Sequence, residues 1–271
     1  MITFAIPGWK YESYADFWRL VALSEFPTCY VDEMSLYDRE AIYITTPMNG
    51  DFQNHLDNHR DRRCTIFLWM LERPGGSGTL AKFKADNQVH IDAGRVDAII
   101  CSDAGMMRDC GYHFVPMYSH PLLGIPGQQK QYDTIGLMAY AGRRGFLFAD
   151  PKTPLPRLPN GCTQAPNAWG GARDLFLKQT RIGINVHQDE VSYCEPLRFA
   201  LFSAYGLPIV SENIPDGHPY ERGLIQSPLD KYLHWLDYAR KNYDQLRLDG
   251  LALRDLMCYQ NNFREGVEKW L

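Results

Sequence analysis

Short apolar runs alternate with helix-patterned stretches along most of the chain. Residues 2–6, 41–46, 65–70 and 96–101 are nearly continuous in apolar side chains, the last run interrupted by Asp97. Between the first two, Tyr14, Phe17, Leu20, Val21 and Ser24 recur at roughly helical spacing. Strands that are apolar on both faces and separated by helices predict parallel sheets covered on both sides. Two prolines and two glycines within 118–127 break the pattern and read as a linker. A second alternation starts at 132–140. It continues through an irregular Pro/Gly/Asn-rich stretch at 150–171, a helix at 172–178 and a strand at 181–186. A helix at 195–205, a strand at 207–211 and helices at 228–244 and 251–265 complete it.

The expected organisation is two three-layer α/β units. Residues 1–120 form the first, 121–129 the linker and 130–255 the second. The terminal helix, 256–271, is expected to pack back on the first unit. In the 228–244 helix, Leu229, Leu233, Leu236 and Ala239 are the predicted apolar face.

The 271 residues are 45% hydrophobic and 22% charged, which excludes a disordered or coiled-coil chain. A formal net charge of −4 gives no basic excess of the kind that marks a nucleic-acid binder. No apolar run approaches a membrane span, and residues 1–8 read as a strand and turn rather than a secretion signal. Seven cysteines without a C-x-x-C pair fit free thiols in a cytoplasmic protein. His55 and His59 share a helical spacing but have no identifiable third ligand, so no metal site is assigned.

The chemically richest stretch is 181–212, RIGINVHQDEVSYCEPLRFALFSAYGLPIVSE. A buried-strand pattern ends at His187, and a loop containing Ser192 and Tyr193 leads into Glu195-Pro196-Leu197-Arg198. Leu197, Leu201 and Ala204 mark the buried side of a helix that Gly206 ends. Ligands of open α/β sheets bind beyond strand carboxyl ends, and a helix starting there offers free N–H groups to an anion. A diphosphate is therefore expected near 192–197, with Arg198 as a cationic fork and Glu195 accepting ligand hydroxyls. Competing readings remain: Ser192-x-x-Glu195 matches a capping box, Arg198 pairs with an acid, and His187 is a structural histidine.

These residues resemble the C-terminal half of GT-B glycosyltransferases. The similarity is greatest to the compact branch of spore-coat maturation-type and phage transferases. Asn185-Val186-His187 answers that branch's strand end, Arg198 its helix arginine, and Gly206 through Glu212 the following turn and strand. The resemblance implies two facing Rossmann-like domains with an interdomain cleft. It also implies metal-independent sugar transfer from a nucleoside-diphosphate sugar, UDP- or GDP-linked, with no other cofactor. Where retaining members carry a ribose-binding glutamate, this chain has Leu201, which leaves Glu195 or Glu212 to substitute. Phosphate contacts are expected after a strand at 137–140, from Gly142, Arg143 and Arg144.

In the first half, Glu72 before Pro74-Gly75-Gly76 is the candidate base for the acceptor hydroxyl. Asp103 is a second candidate, competing with a role as helix cap. Gly8 allows close approach to the cleft, with Trp9 available to stack on a sugar or base. The acceptor stays open among a glycan, a small molecule, a protein and a modified base of phage DNA; the chain is expected to be a monomer or homodimer. A nucleotide-sugar isomerase and a noncatalytic glycan- or nucleotide-binding protein are the alternatives on the same scaffold.

Overall fold

The computed structural model describes residues 1–6, 15–46, 50–71, 80–127, 130–137, 144, 162–164, 171–187, 194–214, 220–258 and 261–271. The chain divides into two compact units: Met1–Pro116 with Asn261–Leu271, and Met117–Gln260. The boundary thus follows Pro116, where the sequence pattern puts it at 120.

The first unit runs β1 (Ile2–Ile6), α1 (Ala15–Leu23), β2 (Thr28–Tyr30), β3 (Ile42–Thr45), α2 (Gly50–Asp57) and β4 (Thr65–Met70). It continues with α3 (Leu80–Asp92), β5 (Ala98–Cys101), α4 (Ala104–Cys110) and β6 (His113–Phe114). The sheet order is β2-β1-β3-β4-β5-β6, and every pairing is parallel. Alternation of side chains along β4 explains why its sequence shows no polar face. Ile66, Leu68 and Met70 pack with Phe52, Leu56, Phe83 and Met106 from α2, α3 and α4. Trp69 instead meets the Phe17 ring of α1, at 5.6 Å between centroids.

The second unit runs β7 (Tyr132–Gly136), β8 (Cys162–Gln164), α5 (Gly171–Lys178), β9 (Thr180–Asn185), α6 (Pro196–Ala204) and β10 (Ile209–Glu212). It then has β11 (Leu224–Ser227), α7 (Tyr232–Lys241) and α8 (Tyr243–Met257). Its sheet, ordered β11-β10-β9-β7-β8, is also parallel throughout. Ile182, Ile184, Val186 and Val210 meet Tyr232, Leu236 and Ala239 of α7 on one face. On the other, Gly183 admits the Phe202 ring of α6: a Cβ there would stand 2.8 Å from it. Two parallel sheets, each flanked by helices, give the expected pair of Rossmann-like units. Helix α9 (Asn261–Glu268) belongs to the first unit.

Several sequence expectations are corrected. The 150–171 stretch contains strand β8 at Cys162–Gln164. Strand β7 spans Tyr132–Gly136, so Leu137 lies past its end, and residues 138–140 of the anticipated strand at 137–140 lie outside the described residues. The 228–244 helix divides at Asn242 into α7 and α8, and Leu233 is 50% exposed while Tyr232 takes the buried position. The 251–265 helix likewise divides, since α8 ends at Met257 and α9 starts at Asn261. Helix α6 is buried nearly all round from Phe199 to Ala204, rather than along one stripe.

Gly206 does end α6. Its φ of +62° suits a residue without a Cβ. Gly206 N–H donates to Ser203 O at 2.8 Å and Leu207 N–H to Phe202 O at 3.1 Å, the paired bonds of a Schellman stop. Gly250 lets α8 lie directly on that turn. A Cβ at Gly250 would stand 2.7 Å from Leu207 C and Pro208 N and 2.8 Å from Gly206 O. Backbone atoms cannot rotate away, so Gly250→Ala is expected to destabilise the protein by about 1–3 kcal/mol. A urea melt reads this, and an unchanged midpoint would show that the helix can lift off the turn.

Candidate functional site in the second unit

Strand order reverses between β7 and β9: the chain leaves β7 for β8 on one side and returns to β9 on the other. At such a switch point the loops leaving the two carboxyl ends diverge, opening a crevice in which α/β sheets hold ligands. Gly136 pairs with Ile184 and Ser211 with Asn185, so β7, β9 and β10 end at similar height. Helix α6 starts after Glu195, with Pro196 in its first turn.

Arg198 spans the switch point. Its Nε donates to Leu137 O at 2.8 Å, just past β7, and its Nη1 donates to Asn185 Oδ1 at the end of β9. Its Nη2 pairs with Glu195 Oε2. Arg144 approaches the same carboxylate, with Nη2 2.9 Å from Oε1, while its Nε donates to Val186 O at 2.7 Å. Side-chain exposure is 3% for Arg144, 11% for Arg198 and 13% for Glu195. Screening by water is therefore weak, and each charge depends on its neighbours for compensation.

A polar layer beneath the arginines holds them. Asn185 donates from Nδ2 to Ser211 Oγ at 3.0 Å and from its backbone N–H to Tyr232 Oη at 3.2 Å. Tyr232 in turn donates to Val210 O at 2.6 Å. The amide orientation of Asn185 is thereby set, and its Oδ1 faces Arg198. His187 is fully buried; Glu212 Oε2 accepts its backbone N–H at 3.0 Å. His187 Nε2 lies 3.0 Å from Asn213 O. A carbonyl can only accept, so Nε2 carries the ring proton. Burial lowers the His187 pKa, outweighing the bond to Asn213 and the nearby carboxylates, and keeps the ring neutral at pH 7.

Of the sequence candidates, Arg144, His187, Glu195, Arg198 and Glu212 converge here. The capping-box reading of Ser192-x-x-Glu195 is overturned. Glu195 itself is the N-cap of α6, and its side chain makes no capping bond because it faces the arginines. Asp103 lies in the first unit, fully buried, where it caps α4 by accepting Met106 N–H at 2.6 Å. Gly8, Glu72, Gly142, Arg143, Ser192 and Tyr193 fall outside the described residues. Ser211, Tyr232 and the Leu137 carbonyl were not anticipated, because neither residue spacing nor polarity distinguishes them in the sequence. Among the described residues, no group of three or more His, Cys, Asp or Glu could hold a metal ion. No described helix is long and apolar enough to cross a membrane.

No protein-family model matches the chain, and no curated protein matches it in sequence. Solved structures do resemble it. TarM superposes with a TM-score of 0.59 at 11% identity, over 86% of this chain and 54% of TarM. Sucrose-phosphate synthase from Thermosynechococcus elongatus gives a TM-score of 0.55 at 8% identity, over 84% of this chain and 72% of that one. An α,α-trehalose-phosphate synthase (UDP-forming) from Burkholderia vietnamiensis gives 0.51 at 8% identity, over 87% and 73%. The chain thus spans about half the length of TarM. At these identities the likeness speaks for architecture, and the architecture of this chain is of the GT-B class.

Proposed function

We propose that the protein transfers a sugar from a nucleoside-diphosphate sugar to an acceptor hydroxyl without a metal ion. The observation that carries this is the convergence of Arg144 and Arg198 on the switch point of the second unit. Two guanidinium groups, held by backbone and amide oxygens, suit the charge that develops on a departing diphosphate. Its structural neighbours support the substrate class, since one is named a UDP-forming synthase and another a sucrose-phosphate synthase. In this reading the second unit binds the donor and the first the acceptor. Arg143, Gly142, Ser192 and Tyr193 complete the phosphate contacts, and Glu212 or Glu195 accepts donor hydroxyls. Neutral His187 orders the β9 strand end beside the donor. Glu72 is the proposed base; Asp103 is the weaker candidate, since its carboxylate serves a buried cap. Cys29, Cys64, Cys101 and Cys258 are unbridged thiols, which fits a cytoplasmic enzyme.

Calorimetric titration with UDP and GDP, followed by transfer assays on acceptor arrays with the matching sugar donors, tests the proposal. Micromolar to millimolar binding of one nucleotide and acceptor-dependent release of it are expected. Release of a rearranged sugar without acceptor would instead identify an isomerase. Tight binding without turnover on any acceptor would identify a binding protein.

A further inference from the structure

Glu195 does something unusual for a residue at its position. An N-cap side chain ordinarily turns back to accept an N–H of its own helix. Here it makes no such bond and presents one oxygen to each of two arginines, Oε1 to Arg144 and Oε2 to Arg198. Two oxygens of one anion, each on a different guanidinium, is also how a phosphate group bridges an arginine pair. Both arginines, moreover, have neutral anchors that do not involve Glu195. Arg144 Nε is held by Val186 O, and Arg198 by Leu137 O and Asn185 Oδ1. The pair would keep its place if the carboxylate left.

We infer that Glu195 is a resident anion that occupies the phosphate position of the Arg144–Arg198 pair and is displaced when a diphosphate binds. This rests on the donor-site reading above. With Glu195 seated, one carboxylate stands against both guanidinium groups, and an incoming diphosphate meets that carboxylate at closest approach. Displacing that carboxylate opposes binding, so the site discriminates against weakly charged anions and favours ligands that engage both arginines together. While the site is empty, the same carboxylate compensates the two buried cations, whose isolation would be costly.

Inorganic pyrophosphate probes the anion position without the nucleoside or sugar. Calorimetry on the full chain should show pyrophosphate binding Glu195→Gln about tenfold more tightly than wild type, a single decade of affinity. In the absence of ligand Glu195→Gln should melt at a lower temperature, and pyrophosphate should raise that temperature more than it does for wild type. Equal or weaker pyrophosphate binding by Glu195→Gln would overturn the inference while leaving the donor site standing. Failure of both proteins to bind pyrophosphate, UDP or GDP would instead remove the donor-site reading, and the inference with it. If Glu195→Gln does not fold alone, refolding in pyrophosphate is the readout. Recovery of a cooperative melt supports displacement, and no recovery overturns it.

Discussion

Phe263→Ala is expected to cost the first unit about 3–5 kcal/mol, the usual range for emptying a buried aromatic position. Phe263 is fully buried, and its ring lies 4.8 Å from Trp69, 5.6 Å from Phe26 and 5.9 Å from Phe4, centroid to centroid. It therefore closes the face of β1 and β4 opposite α2, α3 and α4. Val267, one turn further along α9, is fully buried as well. Gly266 allows the close approach, since a Cβ there would be 3.0 Å from Pro116 Cδ and 3.1 Å from Val115 Cγ1. The Arg264–Glu25 pair at 3.3 Å is exposed and adds little. Because Trp69 touches the Phe263 ring, near-UV circular dichroism should report the loosened packing before the helices melt. Removing residues 261–271 should expose the Trp69 face and prevent the unit from folding cooperatively. A loss below about 1 kcal/mol for Phe263→Ala would mean that neighbouring rings collapse into the space.

The second large effect is expected at Arg198. Arg198→Ala should lower kcat/KM for sugar transfer by about 10²–10³, as loss of one donor to a developing oxyanion does elsewhere. The residue also bonds Leu137 O and Asn185 Oδ1, so some stability is lost with it. A structural role alone would lower the melting point without changing the rate per folded molecule. The decisive comparison is therefore kcat at saturating donor, normalised to the folded fraction. Arg198→Lys should recover charge but not activity, because an ammonium cannot hold both the β7 and β9 anchors with a planar fork. Wild-type turnover in Arg198→Ala would remove the proposed role of the arginine.

Legibility followed burial. Strands β1, β4, β9 and β10, buried along most of their length, were evident as apolar runs because neither face meets water. Strands β2, β6 and β8 were not, and among the described residues each pairs with a single neighbouring strand. Strand β2 is exposed or half-buried at every position, so its membership comes from hydrogen bonds to β1 rather than from its own pattern. The Leu233 error has a related cause. Leucine at helical spacing looks like a core residue, but Tyr232 buries its ring and spends its hydroxyl on the β9–β10 ladder. Only partners distant in sequence make that burial favourable.

What the chain determined by itself was the class of architecture, together with local stops such as Gly206. Burial on both faces requires an apolar run, and a left-handed helix end favours a residue without a Cβ; both demands act within a few residues. The use of each polar group was decided in three dimensions. Arg144 and Glu195 lie 51 residues apart, and no local pattern ties the carboxylate to that arginine rather than to its own helix. Parallel pairing of β7, β9 and β10 brings Leu137, Asn185 and Val186 to one end of a sheet. There, shielded from water, the arginines and the carboxylate must satisfy one another.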